Sequence, residues 1–215
     1  MTQTRLDEIW QLIDAQRIAL ADLLDDLSDD EWRHPSLCSG WTVRDVAAHL
    51  TLQQLRVRDA MGLMVRWRGT MHRTIANEAR RRAALPTAQL ITQIRGMVGS
   101  RRPNAGVTEK ETLTDILVHS QDIAIPLGRP LPMAPGAAAV SASRCLSMRW
   151  PPPIKASRIA RSFRLTATDT TWSAGNGPEV RGPMAALLLA ITGRRVALSE
   201  LTGPGVAELG RRLPA

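Results

Sequence analysis

The 215-residue sequence is poor in several residue types, and each shortage excludes a class of protein. Its two cysteines, Cys38 and Cys145, are too few for a disulfide framework and lack the spacing of a zinc knuckle, which fits a reducing compartment. The longest apolar run, Met184 to Ile191, has eight residues, whereas a membrane-spanning helix needs about 20. Residues 1–10 contain an acidic pair and no apolar segment of a signal peptide. The sequence therefore predicts a folded cytoplasmic protein without a transmembrane helix.

Lysine is also scarce, since only Lys110 and Lys155 occur among the 28 basic residues. The net charge of +8 would normally suggest a nucleic-acid partner. The charge is segregated, however: residues 1–31 hold nine acids and two bases, and residues 56–102 hold eleven bases and two acids. Because these segments can neutralise each other in the fold, the composition does not favour nucleic acid as the partner.

A basic nucleic-acid-binding or regulatory module nevertheless stays open as an alternative function. It would use the arginines of the basic segment, and its affinity for nucleic acid would fall by several decades between about 50 and 200 mM salt if six to ten phosphates are contacted. These arginines are Arg56, Arg58, Arg66, Arg68, Arg80, Arg81 and Arg82.

Four segments of the first part of the chain have apolar residues at every third or fourth position, which predicts amphipathic helices. Three of them are preceded or followed by the spacing of a capping box, in which a Ser or Thr stands three residues before an acidic residue. The predicted helices run from Leu6 to Leu27, from Thr42 to about Trp67, from about Ile75 to Val98 with a break at Pro86, and from Thr108 to Pro126. Four helices with short connections predict a helical bundle.

The rest of the chain has a different pattern. An alanine-rich helical stretch ends near Met148, and Trp150 to Pro153 is typical of a linker, so we place a domain boundary between residues 150 and 151. Phe163 to Ala167 alternates as a strand does, glycines interrupt the following segment, and Pro183 opens an apolar helix. The predicted fold is mainly α: a four-helix bundle over 1–150 and a small α/β domain over 151–215.

Histidine is rare, with four residues, so the placement of each is informative. Asp115 and His119 are spaced i, i+4 on the fourth helix, which puts their side chains on one face. His49 flanks the apolar stripe of the second helix and is expected at the rim of the bundle interior. Together these three residues could give a divalent metal three N or O ligands and leave one coordination position open, as in a catalytic site.

A plainer interpretation competes with the metal site. An Asp-x-x-x-His pair is common on helices, and on spacing alone a solvated pair, or one satisfied in the core, is the more frequent outcome. His34 lies in a proline-containing loop and His72 in a basic stretch, so neither is a predicted ligand. Cys38 could be a nucleophile, but only His34 lies near it in sequence, and a free cysteine is often a small buried side chain.

The sequence also resembles a known family. The run from Trp32 to Leu50, which includes Gly40-Trp41-Thr42 and Asp45-Val46-Ala47-Ala48-His49, resembles the first motif of the mycothiol-dependent maleylpyruvate isomerases, within the DinB-like superfamily. Asp115 to Ile123 resembles the second motif. Three further stretches resemble the C-terminal domain of the family: Ala167 to Trp172, Val180 to Pro183, and Leu187 to Arg194.

The resemblance implies a DinB-like bundle whose first-motif histidine and acidic-x-x-x-His pair bind a divalent metal, usually zinc. These ligands fall on His49, Asp115 and His119. The family pattern has Glu where this chain has Asp115, which moves the carboxylate by about one C–C bond. Asp122 is then a candidate to orient an imidazole ligand from behind.

The chemistry implied by the resemblance is thiol activation, with mycothiol as the cosubstrate. A metal-bound thiolate can add to an electron-poor double bond and allow isomerisation, or open an electrophile to leave a thioether. Arg194, with Arg181 as second choice, is implied as the counter-charge of a small anionic substrate. Besides the enzyme and the basic module, a third possible function is that of a family member that binds metal without catalysis. It stays open because Asp115 stands where the family pattern has Glu.

Overall fold

The computed structural model describes residues 3–54, 71–103, 107–149 and 153–214. The chain divides into two compact units, Met1–Leu131 and Pro132–Ala215. This division precedes the boundary expected after residue 150, because the alanine-rich helix Pro135–Ser147 packs against Met184–Ile191 in the second unit. In the described ranges, no helix is both long and apolar enough to cross a bilayer.

The first unit, here called the helical unit, contains six described α-helices. Thr51–Gln54 continues the third of them as a 3-10 turn. The helices are α1 (Gln3–Asp25), α2 (Asp29–Arg33), α3 (Val43–Leu50), α4 (Met71–Ala83), α5 (Thr87–Arg95) and α6 (Glu109–Ala124).

The predicted helix starts at Thr42 and Thr108 are confirmed by their caps. Ser28, Thr42 and Thr108 are N-caps with complete capping boxes, and Pro86 stands between α4 and α5 as the expected break. The predicted continuation of the second helix to Trp67 lies outside the described residues. The sequence pattern therefore locates helix starts well, because each cap satisfies backbone N–H groups with side chains close in sequence.

The core of the helical unit lies where five helices meet. Helix α1 packs against α5 and α6, and α3 packs against α4 and α6. Their apolar stripes are fully buried, as the spacing predicts. The residues with no exposed surface include Ile13, Leu20, Leu24, Val46, Leu50, Leu90, Ile94, Leu113 and Ile116.

The second unit, here called the C-terminal unit, combines short helices with a small sheet. Strand β1 pairs with β2 in antiparallel and with β3 in parallel orientation, so the strand order is β2-β1-β3. Its elements are α7 (Pro135–Ser147), α8 (Lys155–Ala160), β1 (Arg164–Ala167), β2 (Ser173–Ala174), β3 (Glu179–Gly182), α9 (Met184–Ile191), a 3-10 helix (Arg195–Glu200) and α10 (Val206–Arg212).

The turn that leads out of β2 requires glycine. Gly175 has φ +77°, and a Cβ atom at this position would collide with the carbonyl oxygen of Phe163. The predicted fold class, a helical bundle followed by a small α/β unit, is confirmed.

Candidate metal site

Two capped helices supply the three predicted metal ligands. In α3, the Thr42 hydroxyl accepts from the backbone N–H of Asp45, and the Asp45 carboxylate accepts from the N–H of Thr42. In α6, Thr108 and Glu111 form the same reciprocal arrangement. The caps set where each helix begins, and the two helices pack together. These two constraints determine the backbone positions from which His49, Asp115 and His119 project.

The structure brings His49, Asp115 and His119 together. The Asp115 Oδ1 atom lies 3.5 Å from His49 Nε2 and 3.4 Å from His119 Nε2, and one ligand atom from each residue lies within 4.8 Å of the others. The side chains of His49, Asp115 and His119 are 16%, 29% and 18% exposed. Each of the three side chains therefore keeps part of its surface accessible, as a site with an open coordination position requires.

The distances from Asp115 Oδ1 to the two imidazoles are close to those between metal ligands. Two ligands about 2.0–2.1 Å from a tetrahedral zinc ion are about 3.3–3.4 Å apart, whereas a direct N–H···O hydrogen bond is about 2.7–3.2 Å long. The contacts of Asp115 Oδ1 with the two imidazoles, 3.5 and 3.4 Å, lie within about 0.1 Å of the first range and beyond the second. Two imidazoles and one carboxylate are also a donor set that suits zinc.

The opposite side of the His119 ring shows the contrasting geometry. The Nδ1 atom of His119 lies 2.8 Å from Asp122 Oδ2, which is a direct hydrogen bond to a fully buried carboxylate. The expected contact of Asp122 with an imidazole is thus confirmed. A carboxylate at Nδ1 fixes the proton there and leaves the Nε2 lone pair free for an ion.

Cys38 lies beside the same carboxylate. Its thiol donates to Asp122 Oδ2 at 3.1 Å, and its Sγ atom is 3.6 Å from His119 Nδ1. His34, which is near Cys38 in sequence, is exposed and contacts the carbonyl of Pro35 instead. Cys38 therefore supports Asp122 from behind the cluster, a contact that the sequence does not predict.

The second oxygen of Asp115 is held from another direction. Gln53 donates from Nε2 to Asp115 Oδ2 at 2.9 Å, and its Oε1 atom accepts from Arg17 Nη2 at 3.3 Å. Arg17 has no exposed surface and also donates to the carbonyl of Met97 at 2.8 Å. A polar chain thus runs from the core of the helical unit to the cluster.

The cluster and this polar chain perturb the acidity of two groups. Burial raises the pKa of Asp115, but the facing imidazoles of His49 and His119 and the hydrogen bond from Gln53 outweigh it and hold this pKa well below its usual range. Burial lowers the pKa of Arg17, and the nearby carboxylate of Asp14 opposes this effect. Asp115 is therefore an anion at neutral pH, as a metal ligand must be.

The ring of His49 is placed mainly by packing. Trp41 meets it edge to face, with the ring centroids 5.5 Å apart, and His119 lies at 4.8 Å in a similar arrangement. The buried Nδ1 atom of His49 has no hydrogen-bond partner in the part of the chain that the structure describes. The two imidazoles of the cluster are thus supported differently, one by a carboxylate and one by an indole.

The structure places the predicted substrate-binding arginines in the C-terminal unit. Arg194 is the N-cap of the 3-10 helix, is half-buried, and donates from Nη1 to the carbonyl of Thr192 at 2.8 Å. Arg181 lies on β3 and is exposed, and its backbone pairs with Thr202. The assignment of Arg194 to substrate binding stays a prediction.

The basic segment is only partly described. Arg56, Arg58, Arg66 and Arg68 lie outside the described residues. Arg81 and Arg82 on α4 form ion pairs with Glu78, whose side chain is 6% exposed. Part of the basic charge is therefore neutralised within the helical unit.

Comparison with known proteins identifies the helical unit. Residues 13–112 match the family described as the mycothiol maleylpyruvate isomerase N-terminal domain. The helical unit is a member of this domain family. The matched residues of the isomerase-type domain include His49 and end three residues before Asp115. No curated protein matches the chain.

Two solved structures resemble this chain over most of its length. One is a mycothiol-dependent maleylpyruvate isomerase, with 17% identity and a TM-score of 0.54 over 90% of this chain and 92% of that chain. The other is a point mutant of such an isomerase, with 15% identity and a TM-score of 0.58 over 95% and 96% of the two chains. At these identities the comparison shows a shared fold.

Sequence reasoning missed the roles of Arg17 and Cys38. Arg17 occupies a stripe position of α1, four residues after Ile13 and three before Leu20, and a charged residue at such a position is a signal for a buried polar contact. Cys38 meets His119 across 81 residues of sequence. No local pattern could reveal that contact, because it depends on how the loop before α3 meets α6.

Proposed function

We propose that the chain is a metal-dependent enzyme that uses mycothiol to isomerise, or to attach a thiol to, a small electrophile such as a maleylpyruvate-like acid. The observation that carries the proposal is the convergence of His49 Nε2, Asp115 Oδ1 and His119 Nε2 at metal-ligand separations. The isomerase N-terminal domain and the two similar isomerase structures support the reaction class. Zinc is the ion that this donor set favours.

The charges of the proposed ligands suit a thiol cosubstrate. As ligands of a divalent ion, the imidazoles of His49 and His119 would be neutral and contribute no charge, and the Asp115 carboxylate would offset one of the two positive charges of the ion. When bound, such an ion lowers the pKa of a coordinating thiol so that the thiolate is present at neutral pH. The remaining positive charge of the site then favours an anionic thiolate over a neutral ligand.

Asp122 and Cys38 act on the same site indirectly. Asp122 keeps the His119 proton on Nδ1, and Cys38 donates to the Asp122 carboxylate. These contacts hold the ring in the orientation in which Nε2 faces Asp115 and His49. The ligand set is therefore pre-organised before an ion binds.

Arg194 completes the proposal as the group that pairs with an acidic substrate. A guanidinium binds a carboxylate through two parallel hydrogen bonds, which an ammonium cannot reproduce. We expect Arg194→Lys to raise KM for an acidic electrophile more than it lowers kcat. A KM equal to that of the unchanged protein would remove Arg194 from substrate binding.

The first experiment measures the metal content of the purified protein by inductively coupled plasma mass spectrometry. About one divalent ion per chain is expected, and His49→Ala and His119→Ala should each lose it because each removes one of three ligands. His34→Ala, which changes an exposed histidine outside the cluster, is the matched control and should keep the ion. Metal-free protein after incubation with zinc would overturn the proposal.

The second experiment follows the thiol. The metal-loaded protein is incubated with mycothiol and a panel of electrophiles, including maleylpyruvate, and isomerisation and thiol consumption are measured separately. Turnover that requires both the ion and mycothiol supports the enzyme. Bound metal without turnover of any electrophile would instead support the metal-binding family member without catalysis.

A further inference from the structure

The two oxygens of the Asp115 carboxylate have different surroundings. Oδ1 faces His49 Nε2 and His119 Nε2 at 3.5 and 3.4 Å, too far for direct hydrogen bonds of ordinary length. Oδ2 accepts a hydrogen bond of 2.9 Å from the Gln53 amide. Only Oδ1 is therefore directed at the position that an ion would take.

The orientation of the Gln53 amide is fixed by its two neighbours. A guanidinium has donors and no acceptor, and an ionised carboxylate has acceptors and no donor. The amide oxygen must then face Arg17, and the NH₂ group must face Asp115. Gln53 itself is 1% exposed, so water does not compete for either contact.

Arg17 is in turn held rigidly in the core. Its guanidinium donates to the carbonyl of Met97 at 2.8 Å and lies 3.5 Å from Asp14 Oδ1. Asp14 is held separately by Arg101 and by the backbone N–H of Gly99. A buried arginine costs desolvation energy, and here its position determines which end of Gln53 faces the cluster.

We propose that Gln53, oriented by Arg17, is a positioning residue that restricts Asp115 to binding the ion through a single oxygen. The inference rests on the proposed function, since it concerns the same ion. It follows from the short arm of Asp115: the carboxylate sits close to its own backbone and has few orientations that reach both imidazoles. Once the amide donor is removed, the Asp115 carboxylate can rotate. Its Oδ2 atom can then turn toward the ion, or the whole carboxylate can turn away from it.

Gln53→Met and Gln53→Leu test this proposal. Both introduce an apolar side chain of similar volume and remove the Nε2 donor to Asp115. We expect Zn²⁺ affinity, measured by competition with a chromophoric chelator, to fall about 10- to 100-fold. The visible absorption of bound Co²⁺ should also weaken, because its d–d bands lose intensity when coordination rises above four. Far-UV circular dichroism verifies that each variant is folded.

Gln16→Met is the matched control. Gln16 is the neighbour of Arg17, is 6% exposed, and its amide nitrogen has no hydrogen-bond partner among the described residues. It should bind Zn²⁺ as the unchanged protein does. An equal loss of affinity in Gln16→Met, or an unchanged Co²⁺ spectrum in the Gln53 variants, would overturn the inference.

The proposed function can fail separately from this inference. If the unchanged protein binds no Zn²⁺, the proposed function is overturned and the inference with it. If the unchanged protein binds Zn²⁺ and both Gln53 variants bind it with the same affinity, only the positioning role is overturned.

Discussion

The two units of the molecule bury different kinds of side chain. In the described part of the C-terminal unit, the buried polar residues are the hydroxyl-bearing Ser141, Ser157 and Thr192. The described part of the helical unit buries charged residues of both signs and several amides in addition to hydroxyls. Its described buried polar residues are Gln16, Arg17, Thr51, Gln53, Thr74, Glu78, Thr112, Ser120, Gln121 and Asp122.

The difference follows from what each core does. Ser157 and Thr192 return their hydroxyls to carbonyls of α9, so they serve the local backbone. Gln53 and Asp122 instead hydrogen-bond to Asp115 and His119 of the cluster, and Arg17 donates to Gln53. Buried polar groups add less stability than apolar packing does, and their placement in the helical unit fits a role in holding the site.

The largest effect is expected from breaking the apolar core. Phe163 is the sole phenylalanine and has no exposed surface, and Phe163→Ala should lower the free energy of unfolding by about 3–5 kcal/mol. Urea denaturation measures the loss. Ile154→Ala, at a side chain that is 47% exposed, should change it by less than about 0.5 kcal/mol. A similar effect in both variants would contradict the apolar-core assignment.

A smaller loss is expected when the polar core is broken. Arg17→Met leaves the carbonyl of Met97 and the amide oxygen of Gln53 without their donor, and should cost about 3 kcal/mol in the same measurement. Arg95 pairs with Asp22 and Asp25 at the surface, so Arg95→Met should cost clearly less. Equal losses in the free energy of unfolding would show that the buried Arg17 contributes no more to stability than the surface Arg95 does.

Asp122→Asn tests whether a buried polar residue of the helical unit supports the proposed metal site. The amide keeps the shape of the carboxylate and removes its charge, so we expect Zn²⁺ affinity to fall about tenfold because the His119 ring loses its anionic partner. Chelator competition measures it, with Asp22→Asn on the exposed side of α1 as the control. Unchanged affinity in Asp122→Asn would show that His119 needs no support from Asp122.

The smallest effect concerns a partly exposed carboxylate of the helical unit. Hydrogen bonds from Arg129 and then from Ser28 lower the pKa of Glu31 from 4.5 to about 2. Because this pKa is lower in the folded state, Glu31 stabilises the fold above about pH 4.5, and the contribution is lost as the pH falls toward 2. The Tm difference between the protein and Glu31→Gln should therefore be present at pH 7 and vanish near pH 2. Parallel Tm curves would contradict this.

Much of the fold could be predicted from sequence because its signals are local. The caps at Thr42 and Thr108 and the break at Pro86 each depend on residues within one turn of one another. The pairing of Asp115 with His119 is local as well, since residues four apart on a helix are neighbours.

The rest of the site depends on contacts between elements, and the periodicity of apolar residues in the sequence does not reveal these contacts. Arg17, Gln53 and Asp115 belong to three different parts of the helical unit, and their meeting requires the packing of α1, α3 and α6. The boundary between the two units likewise depends on contacts between elements distant in sequence. The proline-rich run is the stronger local signal, but the packing of α7 against α9 decides to which unit α7 belongs.

The two capping boxes at Thr42 and Thr108 also set the direction in which two of the proposed ligands project. His49 stands seven residues after the N-cap Thr42, and Asp115 stands seven residues after the N-cap Thr108. Seven residues turn an α-helix by about 700°, which is about 20° short of two full turns. Each ligand therefore projects from nearly the same side of its helix as its cap. Deleting one residue between cap and ligand would rotate the ligand by about 100° and remove it from the cluster, although the helix itself would remain intact.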